Sequence, residues 1–168
     1  MGMNRRTAIF ASLAAASTLA NLTPKTQAAD KAENPELEKV RALLKAHDEA
    51  MTNQDLKGVL ATLADKAAIM GTGPGEIWSG PEEIKVAYEH FFQGYDKGQQ
   101  KFDYQFKIGN LGADMGWLMA SGEIKSKKDS KANDFPLNVS LTVVKNGKQW
   151  KIAAMHFSTL TGPESASK

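Results

Sequence analysis

The sequence predicts an α+β fold in which three N-terminal helices pack into a curved, mostly antiparallel sheet that encloses a cone. Three observations predict it. Apolar residues recur at steps of three and four through the first half of the chain, and the period switches to two from Phe102 onward. The 168 residues, 42% hydrophobic and 24% charged, suit one domain with one sizeable core. No apolar run reaches the ~18–20 residues that a membrane-spanning helix needs.

Asn34, Pro35 and Glu36 form a helix start: a capping amide, a first-turn proline and an acid at the positive end of the helix dipole. Leu37, Val40, Leu44, His47 and Met51 then make one apolar stripe on a helix of about 17 residues. Asp55 caps a short second helix carrying Leu56, Val59, Leu60 and Leu63 on one side. Residues 67–70 read as a brief strand, ended by Gly71-Thr72-Gly73-Pro74-Gly75. A third helix starts at Ser79-Gly80-Pro81-Glu82-Glu83 and buries Ile84, Tyr88, Phe91 and Tyr95. Phe102, Tyr104, Phe106 and Ile108 alternate with polar residues, the mark of a strand with one wet face. Strands follow over 115–124, 135–144 and 149–159, the last two joined by an Asn146-Gly147 turn.

In the last strand, strict alternation puts Trp150, Ile152, Ala154 and His156 on one face. Ala153, Met155 and Phe157 take the other. One face lines the cone; the second is too apolar to stay wet, so the expected partner is a second copy of the chain.

The first 29 residues read as a cleavable signal peptide, with Arg5 and Arg6 before an Ala/Leu-rich run and Thr26-Gln27-Ala28 as the cleavage site. Arg5-Arg6 also fits a twin-arginine pattern loosely. The mature protein is expected to be periplasmic or secreted, without stable membrane insertion, with its domain over 30–161 and a polar tail over 162–168. Cleavage removes Arg5, Arg6 and Lys25 and no acid, leaving 18 basic residues against 19 acidic ones. A net charge of −1 with no basic stripe argues against nucleic acid as a partner. Lys125, Lys127, Lys128 and Lys131 read as a solvated hairpin tip. The absence of cysteine excludes disulfides and thiol chemistry.

The run from Met51 to Leu60 resembles the helix-turn-helix of the nuclear transport factor 2-like superfamily. The segment from Gly71 to Pro81 is similar to the approach to its third helix, and Trp150-Lys151-Ile152 with His156-Phe157-Ser158 to its last strand. The likeness is strongest to its SnoaL-like, ketosteroid isomerase-like branch and covers about Glu36 to Ser158. It implies a cone-shaped barrel, usually dimeric, with an internal pocket. It does not imply one function, because this superfamily includes isomerases, dehydratases, cyclases, transport factors and assembly domains.

The resemblance places the isomerase's oxyanion-hole tyrosine on His47 and its general base on Gly71, which has no side chain. No inward acid stands near 115–119 for the second donor, so ketosteroid isomerase chemistry is not expected. The sequence leans to a non-catalytic domain that binds a small, largely apolar molecule, with His47, Met51, Tyr88, Tyr104, Trp117 and His156 as lining residues. An alternative is a dehydratase, cyclase or isomerase using His47 with His156 or Glu76. A third reading is a docking or assembly subunit with no ligand. No His-x-x-x-His spacing supports a metal, no glycine-rich loop continues into Lys-Ser/Thr, and no cofactor is expected.

Overall fold

A computed structural model describes residues 34–159; the expected leader and the tail over 162–168 lie outside them. Helix α1 (Pro35–Thr52) is capped by the Asn34 side chain, which accepts from the Glu36 amide at 3.1 Å. Helix α2 (Leu56–Thr62) follows, with the Asp55 carboxylate accepting from Gly58 N at 2.9 Å. Strand β1 (Leu63–Met70) turns through the glycine run into a short strand β2 (Ile77–Ser79) that the sequence did not suggest. Helix α3 (Gly80–Phe91) leads through a 3₁₀ turn to β3 (Gln100–Leu111). Strands β4 (Met115–Lys128), β5 (Lys131–Ala132), β6 (Phe135–Asn146) and β7 (Gln149–Ser158) complete the described chain.

Six strands lie in the order β2-β1-β7-β6-β4-β3, and β5 pairs with the end of β4. Every neighbour pair is antiparallel except β1 with β7. The sheet does not close on itself, because β2 and β3 are its edges. Helix α1 packs on β3 and β7, and α3 on β1 and β2, giving the cone-shaped α+β arrangement. Ile84, Ile152 and Val59 are fully buried at its centre. Each such side chain contributes ~1.5–3 kcal/mol over leaving it in water.

Asp129 and Ser130 both have positive φ, 50° and 64°, the geometry of a tight two-residue hairpin. This turn carries the lysines expected at a solvated tip; Lys128 pairs with Asp96 at 3.7 Å.

Two β-bulges overturn the strict alternation expected from the sequence. In β3 the register passes from Tyr104 opposite Gly122 to Phe106 opposite Ser121, leaving Gln105 as the extra residue. Phe102 and Tyr104 therefore face the interior, whereas Phe106 and Ile108 turn outward and are 73% and 65% exposed. In β7 the register passes from Thr142 opposite Ala154 to Val143 opposite Ile152, so Ala153 is extra. Trp150 and Ile152 face inward before it; Met155 and Phe157 face inward after it. Met155 and Phe157 thus belong to the interior, and His156 faces out, the reverse of expectation.

Candidate functional site

The cone encloses a cavity of about 810 Å³ between the concave side of the sheet, α1, α3 and the β1–β2 turn. Its wall is mostly aliphatic and aromatic. Leu118 on β4, Leu137 and Val139 on β6 and Phe157 on β7 form the sheet side, while Trp78 closes the turn side. The α1 stripe delivers His47 and Met51, and α3 delivers Tyr88, as helical spacing requires.

His47 is 4% exposed and Tyr88 5%. Their Nε2 and hydroxyl oxygen lie 3.1 Å apart, with the rings edge-on at 6.2 Å. The single phenol proton serves either His47 Nε2 or Met155 Sδ, 3.9 Å away, and the histidine tautomer sets which. Burial holds the Tyr88 pKa well above the ordinary tyrosine value, with Tyr95 adding to it, so the phenol stays a proton donor.

On the other side of His47, Nδ1 stands 3.8 Å from the Asp48 carboxylate. The Tyr104 hydroxyl donates to that carboxylate at 3.2 Å, and burial followed by the Asp48 charge raises the Tyr104 pKa. Tyr104, Asp48, His47 and Tyr88 therefore form a polar chain along one wall of an otherwise apolar chamber. Asp48 was not singled out by sequence, because it lies on the exposed side of the helix stripe. Its adjacency to His47 was the only signal.

Glu76 is held at the rim. The Gly73 amide donates to its Oε2 at 2.7 Å, and the Gly71 amide donates to its backbone carbonyl at 2.8 Å. A Cβ on Gly71 would collide with the Glu76 Oε2 and approach its Cβ to 2.9 Å; one on Gly73 would stand 3.0 Å from its Cδ. The space that a side chain at 71 would fill is occupied by the Glu76 carboxylate.

Two expected lining residues stand elsewhere. Trp117 alternates with the inward Gly116 and Leu118; it is 42% exposed and faces away from the cavity. His156 is exposed on the outer face, displaced there by the bulge at Ala153. His47, Met51, Tyr88, Tyr104 and Glu76 do share the cavity. His90, on the last turn of α3, is exposed at its margin. Among the described residues no group of three or more His, Cys, Asp or Glu side chains is placed to hold a metal ion.

Solved structures resemble this fold. A nuclear transport factor 2-like protein of unknown function from Pseudomonas putida superposes with a TM-score of 0.66 at 16% identity, covering 78% of this chain and 91% of that one. A Streptomyces avermitilis protein, provisionally called a dehydratase of the nuclear transport factor 2-like family, gives 0.65 at 16%, covering 76% and 99%. A ketosteroid isomerase-like protein from Erwinia carotovora atroseptica gives 0.61 at 21%, covering 77% and 99%. At these identities the likeness is one of fold. No curated protein matches the sequence. The SnoaL-like domain model matches residues 40–162, and the chain belongs to that family.

Proposed function

We propose that this is an exported, homodimeric SnoaL-like domain that binds a small, largely apolar molecule in its cone, without ketosteroid isomerase chemistry. One observation carries the reading: a chamber of about 810 Å³ with apolar walls and one deeply buried hydrogen-bonded pair, His47 and Tyr88. A ligand buries its body against the walls and finds its polar contact at this pair. Nile red, a neutral apolar dye, tests it. One dye per chain should bind with a blue-shifted fluorescence rise, and Val139→Trp, which fills the chamber, should abolish the signal in a folded protein. No binding by the wild type would overturn the reading.

Dimerisation is supported by the outer sheet face, although its residues differ from those expected. Phe106 and Ile108 on β3 adjoin Met115, Trp117 and Met119 on β4, all outward and 42–73% exposed. Ile108 pairs with Met119, and the row continues through Ser140 to His156 and Met70. Contiguous apolar patches on monomers rarely exceed ~300–600 Å². Sedimentation equilibrium should give twice the chain mass, and Phe106→Lys with Met119→Lys should return it to one. A wild-type monomer at tens of micromolar would refute the dimer. Export rests on the leader alone, and mass spectrometry of the native protein should find its N-terminus at Ala29 or Asp30.

A second reading, a lyase or isomerase, is favoured by the seat of Glu76. A carboxylate at Gly71 restores a base where the resemblance found none, and the Tyr88 phenol is a proton donor in the same chamber. Turnover of a carbonyl substrate lost in Glu76→Gln, with dye binding intact, would establish it.

A further inference from the structure

The charge of the cavity wall carries one step further. Among the described residues, the carboxylates lining it are Asp48 and Glu76, and neither lysine nor arginine lines it. Lys45 pairs with Glu49 at 3.6 Å, and Lys107 is stacked on the Tyr104 ring at 4.6 Å rather than free on the wall. His47 and His90 are the remaining titratable groups besides the two phenols, which burial keeps protonated. An anionic ligand would meet no permanent counter-charge and two negative groups.

Glu76 is the better placed of the two acids to receive a ligand. The Asp48 oxygens are shared between the Tyr104 hydroxyl and the side facing His47, whereas Glu76 Oε1 has no hydrogen-bond partner among the described residues. Its position is set by the missing side chains of Gly71 and Gly73, which leave it room at the rim of the cavity that Trp78 and Phe91 also line. A carboxylate in the wall of a cavity that aromatic side chains also line is a receptor for an organic cation, through ion pairing and cation–π attraction.

We infer that the cavity selects ligands bearing an apolar body and a protonated amine, with Glu76 as the anchor of the ammonium group and Trp78 and Phe91 flanking it. This rests on the binding reading above and adds the ligand's charge to it.

Isothermal titration with octylammonium, 1-octanol and octanoate tests the inference, since the three share one tail. Octylammonium should bind about five- to tenfold more tightly than octanoate, with octanol between them. In Glu76→Gln the ammonium should fall to the affinity of octanol, with octanol itself unchanged. Raising the ionic strength to about 1 M, where the Debye length is ~3 Å, should narrow the ammonium preference in the wild type without any substitution. Octanoate binding as tightly as octylammonium would overturn the inference while leaving the binding reading standing. So would a Glu76→Gln variant with an undiminished ammonium preference. Failure of all three to bind would overturn the binding reading and this inference with it.

Discussion

Replacing Tyr88 by Phe isolates the buried contact between His47 and Tyr88 in the cone. The phenylalanine keeps the ring, and so the edge contact with His47 and the tilted contact with Phe92 at 6.0 Å. It removes only the hydroxyl, which leaves His47 Nε2, buried at 4% residue exposure, without its partner. An orphaned buried polar atom costs ~1–3 kcal/mol, whereas an intact pair contributes only ~0.5–1.5 kcal/mol net. Tyr88→Phe should therefore lower stability by about 1–3 kcal/mol, or roughly 4–12 °C in Tm for a domain of this size. His47→Leu alone leaves the phenol only the weak contact to Met155 Sδ at 3.9 Å. The double variant strands neither, so it should cost at least about 1 kcal/mol less than the sum of the two. Urea unfolding of all four proteins, with equal m-values as the check on two-state behaviour, measures that coupling. Strict additivity would refute the reasoning, because it would mean that water in the chamber already satisfies both groups.

Glu36 gathers Lys39 at 2.8 Å, the Trp150 indole N–H at 2.7 Å and Lys145 at 2.9 Å, and these partners hold its pKa down to about 2. A depressed carboxylate stabilises above its unfolded value of 4.5 and loses that contribution as pH falls toward 2. Tm should drop across that window, and less so in Glu36→Gln. The protein's three tyrosines, Tyr88, Tyr95 and Tyr104, are all raised by burial. Absorbance near 295 nm should show no phenolate in the native protein at pH 10, and stability should fall as pH rises above that value, because the unfolded chain releases its phenolic protons first. A normal titration midpoint near 10 would contradict the burial. Gly122→Ala would drive a methyl into the Asp103 carbonyl and to 2.9 Å from the Phe102 ring. It should destabilise by at least ~1–3 kcal/mol in the same urea assay.

The helices were legible because each carries its own start signal and a long apolar stripe, and the observed α1 bounds lie within a residue or two of the expected ones. His47 and Tyr88 were legible as inward residues for the same reason. The four long strands were legible as strands, but not the faces of two of them. Alternation assigns a face only while the register holds, and the extra residues are Gln105 and Ala153, neither a glycine nor a proline that would announce a bulge. One unannounced residue in each strand moved Phe106, Ile108 and His156 outward and Met155 and Phe157 inward. Trp117 was misplaced for another reason: in a strand flanked by glycines and alanines, the largest side chain drew the inward assignment, although Gly116 and Ala120 are the buried ones. Glu76 was noticed, but not its seat. Gly71 and Gly73, two glycines spaced about one turn from an acid, were the available trace, and they read equally well as plain turn residues.

The two bulges have a consequence for how this molecule can change. The one in β3 divides its strand into segments that present large side chains to opposite sides, so a single stretch of chain serves the chamber first and the exterior afterwards, whereas the one in β7 keeps the large side chains inward on both sides of it. A substitution at Phe106 or Ile108 alters what the outside can stick to and leaves the volume within untouched. One at Phe102 or Tyr104, a few residues away, reshapes the volume and leaves the outside as it was. What the protein holds and what it associates with can therefore drift separately, on the same scaffold, without either alteration disturbing the other.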